Sequence, residues 1–338
     1  MQPNPATATA DWTTRKLLAW MTQHFTQQGL ESPRVQAEML LGHVIGCDRL
    51  RLYMEPEREA SPAERETLRG LVRRAAAHEP VDYLVGRTPF FGLELTVDAR
   101  VLIPRPSTET LVEHALQHFR RTHPASRPVP RRLVSDDAPQ SDAPDAPDAP
   151  PESQPHTDAA REAAGSEPFF LDLCTGSGAV AAAVLSQLPG ATAIAADLSP
   201  EALAVAGTNL ERLDLVDRCT LVEGDLYEAL PDGTQPLDAV LSNPPYISDA
   251  EWEAVPRHVA EHEPTLALRG GADGLDLVRR VVAGAWPRLK AGGLLAVEIA
   301  ASQAEASLAL TQDQAWTRAR VLEDHERLPR VLVAVKPD

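Results

Sequence analysis

The chain has little that would place it in a membrane or outside the cell. Its 338 residues include only three cysteines, Cys47, Cys174 and Cys219. Their odd number and wide spacing argue against a disulfide framework and against a zinc site. The sequence has no apolar run of about 18 residues, so no membrane span is predicted, and the N-terminus lacks the basic-then-apolar pattern of a signal peptide. These absences predict a cytoplasmic protein with reduced thiols, and the length allows two domains.

Positive charge and metal-ligand patterns are also scarce. The chain has 32 Lys and Arg residues against 49 Asp and Glu residues, which gives a formal net charge of −17. Nucleic-acid binding gains most of its affinity when basic side chains neutralise phosphates, so no stable binding of DNA or RNA is predicted. His258 and His262 have the spacing of a ligand pair on a helix. No third ligand follows in a defined pattern, and no metal is predicted.

The most informative stretch that is present is Asn243-Pro244-Pro245-Tyr246, which follows an apolar run, 237–241, that predicts a buried strand. The prolines carry no N–H, so the stretch presents backbone acceptors on a stiff scaffold. Asn243 adds a side-chain carbonyl and Tyr246 a flat aromatic face. These groups suit a planar NH2 group, as in an amide or a nucleobase amine. Taken alone, the stretch is equally typical of a Pro-rich turn after a strand.

Polar residues also follow three predicted strands upstream. Residues 169–173 lead into the loop Cys174-Thr175-Gly176-Ser177-Gly178 and an Ala-rich helix, where glycines allow the backbone to approach a ligand. Asp197 ends the next strand about 20 residues later, where a carboxylate can accept from ribose hydroxyls. Asp225 follows the third strand. Each feature has an ordinary alternative: a tight turn, a helix cap, a surface turn. Their order predicts a nucleotide-like cofactor at the carboxyl ends of the strands.

Together these motifs resemble those of the PrmC/HemK family of class I, S-adenosylmethionine-dependent methyltransferases. That family modifies the glutamine side-chain amide in the Gly-Gly-Gln motif of peptide-chain release factors. The resemblance covers most of the chain. Asn-Pro-Pro-Tyr is shared with adenine methyltransferases of nucleic acids, whereas Leu102-Ile103-Pro104-Arg105-Pro106 with Thr108-Glu109 points to the protein-glutamine branch. Further matching segments are 79–86, 91–92, 263–264, 267–268, 270–271, 273–275 and 298–299.

The resemblance implies an α/β fold. The expected architecture is a Rossmann-like class I methyltransferase domain with a seven-stranded, mostly parallel sheet, preceded by a small N-terminal helical domain and a linking β-hairpin. The implied cofactor is S-adenosylmethionine, the implied protein partner is a release factor, and a monomer is expected. The implied catalytic residues are Asn243, Pro244, Pro245 and Tyr246. The implied cofactor-binding residues are Asp172, Cys174, Thr175, Gly176, Ser177, Gly178, Asp197, Asp225, Leu226 and Asn243.

Four positions depart from the family pattern. Cys174 stands where a loop glycine is frequent, which reduces backbone freedom there. Leu226 stands where some relatives carry an aromatic residue against the adenine, and it can supply apolar contact without stacking. Ser107 replaces a usual acid, and Ala300 replaces a usual glycine. None of these changes removes a group that the chemistry needs.

The predicted organisation has four parts. Residues 1–88 form a helical substrate-docking domain, in which Ser32-Pro33 predicts a capped helix start and Ser61-Pro62-Ala63-Glu64 a capping box. Residues 89–121 form the hairpin and a connecting helix. Residues 122–167 repeat Asp-Ala-Pro and hold few large apolar side chains, which predicts a disordered linker. The methyltransferase domain is predicted at 168–338, with a helix at 274–289, a strand at 294–299 and an antiparallel hairpin at 316–322 and 330–335.

The predicted function is methylation of the glutamine amide in release factors. Three alternatives remain open at this point: a glutamine of a large-subunit ribosomal protein, an adenine amino group of nucleic acid, and a non-catalytic cofactor-binding scaffold. The acidic composition disfavours the nucleic-acid substrate. The intact Asn-Pro-Pro-Tyr stretch disfavours the scaffold, because cofactor binding alone would not require it.

Overall fold

The computed structural model describes residues 12–124 and 167–338. Nearly all of the predicted linker, 122–167, lies outside the described residues. The described part divides into two compact units, one of 12–88, 96–103 and 253–265, the other of 89–95, 104–124, 167–252 and 266–338. Segment 253–265 therefore groups with the helical unit, although the sequence placed it in the methyltransferase domain. Within the described ranges, no helix is long and apolar enough to cross a membrane.

The first unit is helical. Its elements, numbered in chain order, are α1 (Thr14–Gln27), α2 (Pro33–Ile45), α3 (Arg49–Met54), α4 (Pro62–Ala76), α5 (Val81–Val85) and α9 (Arg257–His262). Met21, Phe25 and Leu40 are fully buried in its core. The capping box at α4 is confirmed, since Ser61 accepts from the Glu64 N–H and Glu64 accepts from the Ser61 N–H. The helix start predicted at Ser32-Pro33 is confirmed, with Pro33 in the first turn, but Ser32 has a left-handed backbone and makes no side-chain cap bond.

The hairpin begins slightly earlier than predicted, with β1 at Arg87–Phe90 and β2 at Leu93–Thr96. Phe91 and Gly92 at its turn both have positive φ, 49° and 76°, as a type I′ turn requires. Glu109 begins α6 (Glu109–Thr122) and accepts a hydrogen bond from the Phe91 N–H at 2.7 Å. This bond fixes the turn to the start of the helix.

The second unit is built on the predicted seven-stranded sheet. Its strands are β3 (Phe169–Leu173), β4 (Thr192–Asp197), β5 (Cys219–Glu223), β6 (Leu237–Ser242), β7 (Leu289–Glu298), β8 (Thr317–Glu323) and β9 (Pro329–Val335). The spatial order is β5-β4-β3-β6-β7-β9-β8. Neighbouring strands from β5 to β7 are parallel, and β9 is antiparallel to both β7 and β8. The predicted fold class is confirmed.

Helices cover both faces of this sheet, as a parallel sheet requires. Among the described residues, the remaining α-helices are α7 (Ala179–Gln187), α8 (Pro200–Arg212), α10 (Asp276–Ala285) and α11 (Ala304–Ala309). One apolar cluster packs α6 and α7 on the sheet, and a second packs α10 on it. The predicted helix 274–289 is too long, because Leu289 already pairs with Leu237 and begins β7. Strand order reverses between β3 and β6, the position where such sheets bind ligands.

Candidate active site

Strand register brings the predicted site residues to one edge of the sheet. Ser242, the last residue of β6, pairs with Leu173 of β3 on one side and with Val297 of β7 on the other. The residue after it, Asn243, therefore lies between the start of the glycine loop and Glu298, the last residue of β7. This is the point at which the strand order reverses.

Asp172 accepts hydrogen bonds from the glycine loop and from the start of α7, on the side that faces the protein interior. The residue is 1% exposed. Its Oδ2 accepts hydrogen bonds from Thr175 Oγ1 at 2.6 Å and from the Ala181 N–H at 3.1 Å. Burial raises the pKa of Asp172 to about 7, although both hydrogen bonds act in the opposite direction. The carboxyl group thus contacts the loop and the first turn of α7 from inside the protein, and it is not at the loop surface.

The outer side of the loop is open. Gly176 has a φ of 55°, and a Cβ at this position would meet no atom within 4 Å. Gly178 has a φ of 79° and faces α8, where Ala206 Cβ lies 3.2 Å from the position that a Cβ would take. This glycine permits close packing of helix and loop. Ser177 is buried, and its carbonyl accepts from Asn209 Nδ2 at 2.9 Å. The loop is therefore packed on one side and accessible at Gly176.

Asp197 links the loop to the end of β4. Its Oδ2 accepts from the Gly176 N–H at 2.8 Å and its Oδ1 from the Ser199 N–H at 3.0 Å. Burial raises the pKa of Asp197, and these backbone donors oppose the shift. A carboxylate has about four acceptor positions, so this one can accept further hydrogen bonds. The next residue, Leu198, is 53% exposed and is an apolar surface that the sequence reasoning did not single out.

Asp225 and Leu226 lie in different environments. The Asp225 side chain is 42% exposed and forms an ion pair with Arg280 at 2.9 Å. Leu226 is 7% exposed and packs in the same apolar cluster as Tyr227. Its φ of 51° turns the chain sharply after β5. Leu226 consequently offers little accessible surface in this structure.

Cys174 has a φ of 57°, a left-handed backbone that costs a non-glycine residue about 1–2 kcal/mol. We expect Cys174→Gly to be tolerated, because relief of this backbone offsets the lost packing of the sulfur. Cys174→Val should lower the free energy of unfolding by roughly 2 kcal/mol, since a β-branched side chain suits this backbone poorly. Urea unfolding of both variants measures the difference. Equal stabilities would contradict a strained backbone at this position.

The Asn-Pro-Pro-Tyr segment is held firmly in place. Asn243 is half-buried, and its Nδ2 donates to Thr108 Oγ1 at 3.1 Å. Pro244 and Pro245 are buried. The Tyr246 carbonyl accepts from Gln303 Nε2 at 2.8 Å, and the Tyr246 hydroxyl donates to Glu298 Oε1 at 3.3 Å. These bonds fix the segment at both its first and last residues.

Thr108 and Glu298 both contact the Asn-Pro-Pro-Tyr segment, and the sequence reasoning did not identify either as a site residue. Glu298 is fully buried, and Ser107 Oγ also donates to its Oε1 at 3.2 Å. Burial raises the pKa of Glu298. Glu298 ends the strand next to β6, so the rule that led to Asp197, a polar residue at a parallel strand end, could have found it. Thr108 is 135 residues from Asn243, and no sequence pattern joins them.

Comparison with known proteins decides the family. The PrmC N-terminal domain model matches residues 16–86, and a methyltransferase domain model matches residues 170–262. The release factor glutamine methyltransferase of Rhodopirellula baltica is 36% identical over 322 residues, covering 94% of this chain and 95% of that protein. The chain belongs to the release factor glutamine methyltransferase family. A protein of the same name from Geobacter sulfurreducens is also 36% identical, and the matched region covers 95% of this chain and 96% of that protein. The resemblance predicted from the motifs is confirmed.

As in other class I methyltransferases, the methyl donor of this family is S-adenosylmethionine, and the cofactor prediction is confirmed. The residues at the sheet edge fit such a molecule. Gly176 leaves open space beside the loop, Asp197 has unused acceptor positions, and Leu198 is an exposed apolar side chain next to it. No group of three His, Cys, Asp or Glu side chains able to hold a metal ion occurs in residues 12–124 or 167–338.

Proposed function

We propose that this protein methylates the side-chain amide nitrogen of the glutamine in the Gly-Gly-Gln motif of peptide-chain release factors. The observation that carries the proposal is Asn243-Pro244-Pro245-Tyr246 at the strand-reversal point of the sheet, in a chain matched over nearly its whole length by relatives named for this activity. We further propose that it acts in the cytoplasm as a monomer and forms no stable complex with nucleic acid.

Asn243 is oriented to accept a hydrogen bond from the substrate. Its Nδ2 donates to Thr108, so Oδ1 is the atom directed away from Thr108 and available to a ligand. A glutamine side-chain amide has two N–H donors. Oδ1 of Asn243 and the carbonyl of Pro244 would accept them, with the Tyr246 ring packed on the amide plane. Holding both N–H groups orients the nitrogen for in-line attack.

These two acceptors also lower the barrier to attack. An amide nitrogen is a poor nucleophile because its lone pair is delocalised into the carbonyl. When bound, S-adenosylmethionine would supply an electrophilic methyl group, and the bond between its sulfur and that carbon would break as the amide nitrogen attacks. As the new N–C bond forms, positive charge develops on the nitrogen, and the oxygens of Asn243 and Pro244 stabilise that charge more strongly than they stabilise the neutral amide. The methylated nitrogen then gives one of its protons to water, which restores a neutral amide.

We assign the cofactor to the other half of the sheet edge, where β3, β4 and β5 end. Asp197 would accept from the ribose hydroxyls. Residues Cys174, Thr175, Gly176, Ser177 and Gly178 would form the wall against the methionine portion, with Asp172 acting through Thr175 and Ala181 to hold that wall. Asp225 and Leu226 would lie near the adenine, where Leu198 provides exposed apolar surface.

Methyl transfer from labelled S-adenosylmethionine tests the proposal. The acceptors are an intact release factor, the same factor with the glutamine of Gly-Gly-Gln changed to alanine, an extract of ribosomal proteins, and duplex DNA. We expect label on the intact factor and none on the changed factor. Label only on the extract would replace the proposal with a ribosomal-protein substrate, and label only on DNA with an adenine substrate. Cofactor binding without transfer to any acceptor would indicate a scaffold.

A further inference from the structure

A buried glutamine joins three segments of the second unit, one of which is the end of the Asn-Pro-Pro-Tyr segment. Gln303 is 5% exposed and lies in the turn that follows β7. Its Nε2 donates to the Tyr246 carbonyl at 2.8 Å and to the Asp273 carbonyl at 3.1 Å, and its Oε1 accepts from the Ala300 N–H at 3.0 Å. Turning the side-chain amide over would place Oε1 against two carbonyl oxygens, so these contacts allow only one orientation.

Two glycines let the loop before α10 lie directly against the same backbone. Gly274 has a φ of 75°, and a Cβ at this position would overlap both the Tyr246 carbonyl oxygen and Gln303 Nε2. A Cβ at Gly270 would lie 2.8 Å from the Pro245 carbonyl oxygen. A side chain at either position would force the loop away from the Asn-Pro-Pro-Tyr segment. The loop and Gln303 thus form one support for the last two residues of that segment.

The Asn-Pro-Pro-Tyr segment depends on this support because it has few backbone donors. Pro244 and Pro245 carry no N–H, so neither can donate a backbone hydrogen bond that would hold it in place. The Pro244 carbonyl, which is a proposed acceptor for the substrate amide, accepts no hydrogen bond from the described residues. Its position is therefore set by the contacts of Asn243 at one end of the segment and of Tyr246 at the other.

We propose that Gln303 is a positioning residue that holds the Pro244 carbonyl where it accepts one N–H of the substrate glutamine. The inference rests on the proposed function, because it concerns an acceptor that is assigned there. Gln303 acts through the backbone, since it binds the carbonyl of Tyr246, two residues after Pro244. Releasing the Tyr246 carbonyl lets the segment shift, and a displacement of about 1 Å can lower a rate roughly 100-fold.

Gln303→Glu removes the donor and preserves the shape of the side chain. An ionised carboxylate can only accept, so it keeps the bond from the Ala300 N–H and repels both carbonyls that Nε2 now binds. We expect kcat for the release factor to fall by roughly tenfold or more. The KM for the release factor should change less than kcat. The Kd for S-adenosylmethionine should stay near the parent value, because loop 174–178 and Asp197 are untouched.

Gln303→Met shows whether such a loss comes from the missing donor or from a buried charge. Methionine has a similar length and introduces no charge, and it neither donates to the Tyr246 carbonyl nor accepts from Ala300. We expect kcat to fall in this variant as well. If Gln303 served only to cap the turn through the Ala300 N–H, Gln303→Glu would keep the parental kcat and Gln303→Met alone would be impaired.

Gly274→Ala disturbs the same support from the other side. Its Cβ would displace either Gln303 Nε2 or the Tyr246 carbonyl, so kcat should fall as in Gln303→Met. Because both changes act on one hydrogen bond, the double variant should be no slower than the slower single variant. Gly233→Ala is the matched control, since Gly233 has a φ of 79° and a Cβ there would meet no atom within 4 Å. It introduces similar backbone strain and should leave kcat unchanged.

Thr311→Val is the corresponding control for Gln303. Thr311 is also 5% exposed and donates to a backbone carbonyl, that of Leu308, at 2.8 Å. Its replacement should reduce thermal stability and leave kcat at the parental value. With an active parent enzyme, parental kcat in either Gln303→Glu or Gly274→Ala would overturn the inference alone, as would an equal loss of kcat in the two controls. A parent enzyme that is inactive on every release factor would overturn the proposed function.

Discussion

Asn243→Ala should lower kcat for release-factor methylation by roughly 100- to 1000-fold, the usual effect of removing one group that stabilises developing charge. The substitution deletes the Oδ1 acceptor and the Nδ2 bond to Thr108. It leaves the loop 174–178 and Asp197 untouched, so the Kd for S-adenosylmethionine should change little. Single-turnover methylation and calorimetric cofactor binding, measured on the same preparation, give the two values.

Asn209→Ala serves as the comparison. Asn209 is fully buried on α8 and donates to the Ser177 carbonyl in the glycine loop. Its loss should reduce stability and cofactor affinity, with a smaller effect on kcat at saturating cofactor. A comparison of the two alanine variants therefore separates the effect on substrate activation from the effect on the support of the glycine loop. An Asn243→Ala enzyme with parental turnover would show that this side chain does not accept the substrate amide.

The sheet could be predicted from the sequence because several of its strands are short apolar runs that end in a polar residue, as β4, β5 and β6 do. Leu237–Ser242 differs from its predicted bounds, 237–241, by one residue. Strand β7 was less predictable. Gly292 and Gly293 interrupt its apolar pattern, and the start at Leu289 depends on pairing with Leu237 across a register shift. Pairing between strands distant in sequence is not encoded in local periodicity.

The positions of the candidate site residues along the sheet edge could be predicted from the sequence, whereas their burial and contacts could not. Residue order placed Asp172, Asp197 and Asn243 at strand ends, but a strand pattern does not say which carboxylate is covered. Asp172 is buried because Thr175 and the first turn of α7 cover it and donate hydrogen bonds to its carboxylate. Leu226 was predicted as a ligand contact, and the sequence does not indicate that its side chain is only 7% exposed and packs in the same cluster as Tyr227. Thr108 reaches Asn243 only through tertiary packing, which no local pattern indicates.

Asp197→Ala should weaken S-adenosylmethionine binding by roughly 100-fold, because each hydrogen bond to a charged group contributes about 1.5–3 kcal/mol. The change removes the proposed ribose acceptor and also frees the Gly176 N–H that Asp197 now holds at 2.8 Å. Calorimetric titration of the cofactor measures the loss. Glu223→Ala is the matched control, because this exposed carboxylate ends the neighbouring strand β5, pairs in register with Asp197 and has no assigned role in cofactor binding. Equal losses in the two variants would contradict the assignment of the ribose to Asp197.

The pH dependence of cofactor binding gives the same assignment a second test. Asp197 accepts ribose hydroxyls in its ionised form, and protonation removes acceptor capacity. Burial raises the pKa of Asp197 above the ordinary aspartate value of about 3.9. Affinity for S-adenosylmethionine should therefore be complete above this raised pKa and decline as the pH falls through it. In Asp197→Asn the affinity should be lower throughout and should lose this titration. A parental pH dependence in that variant would assign the titration to another group.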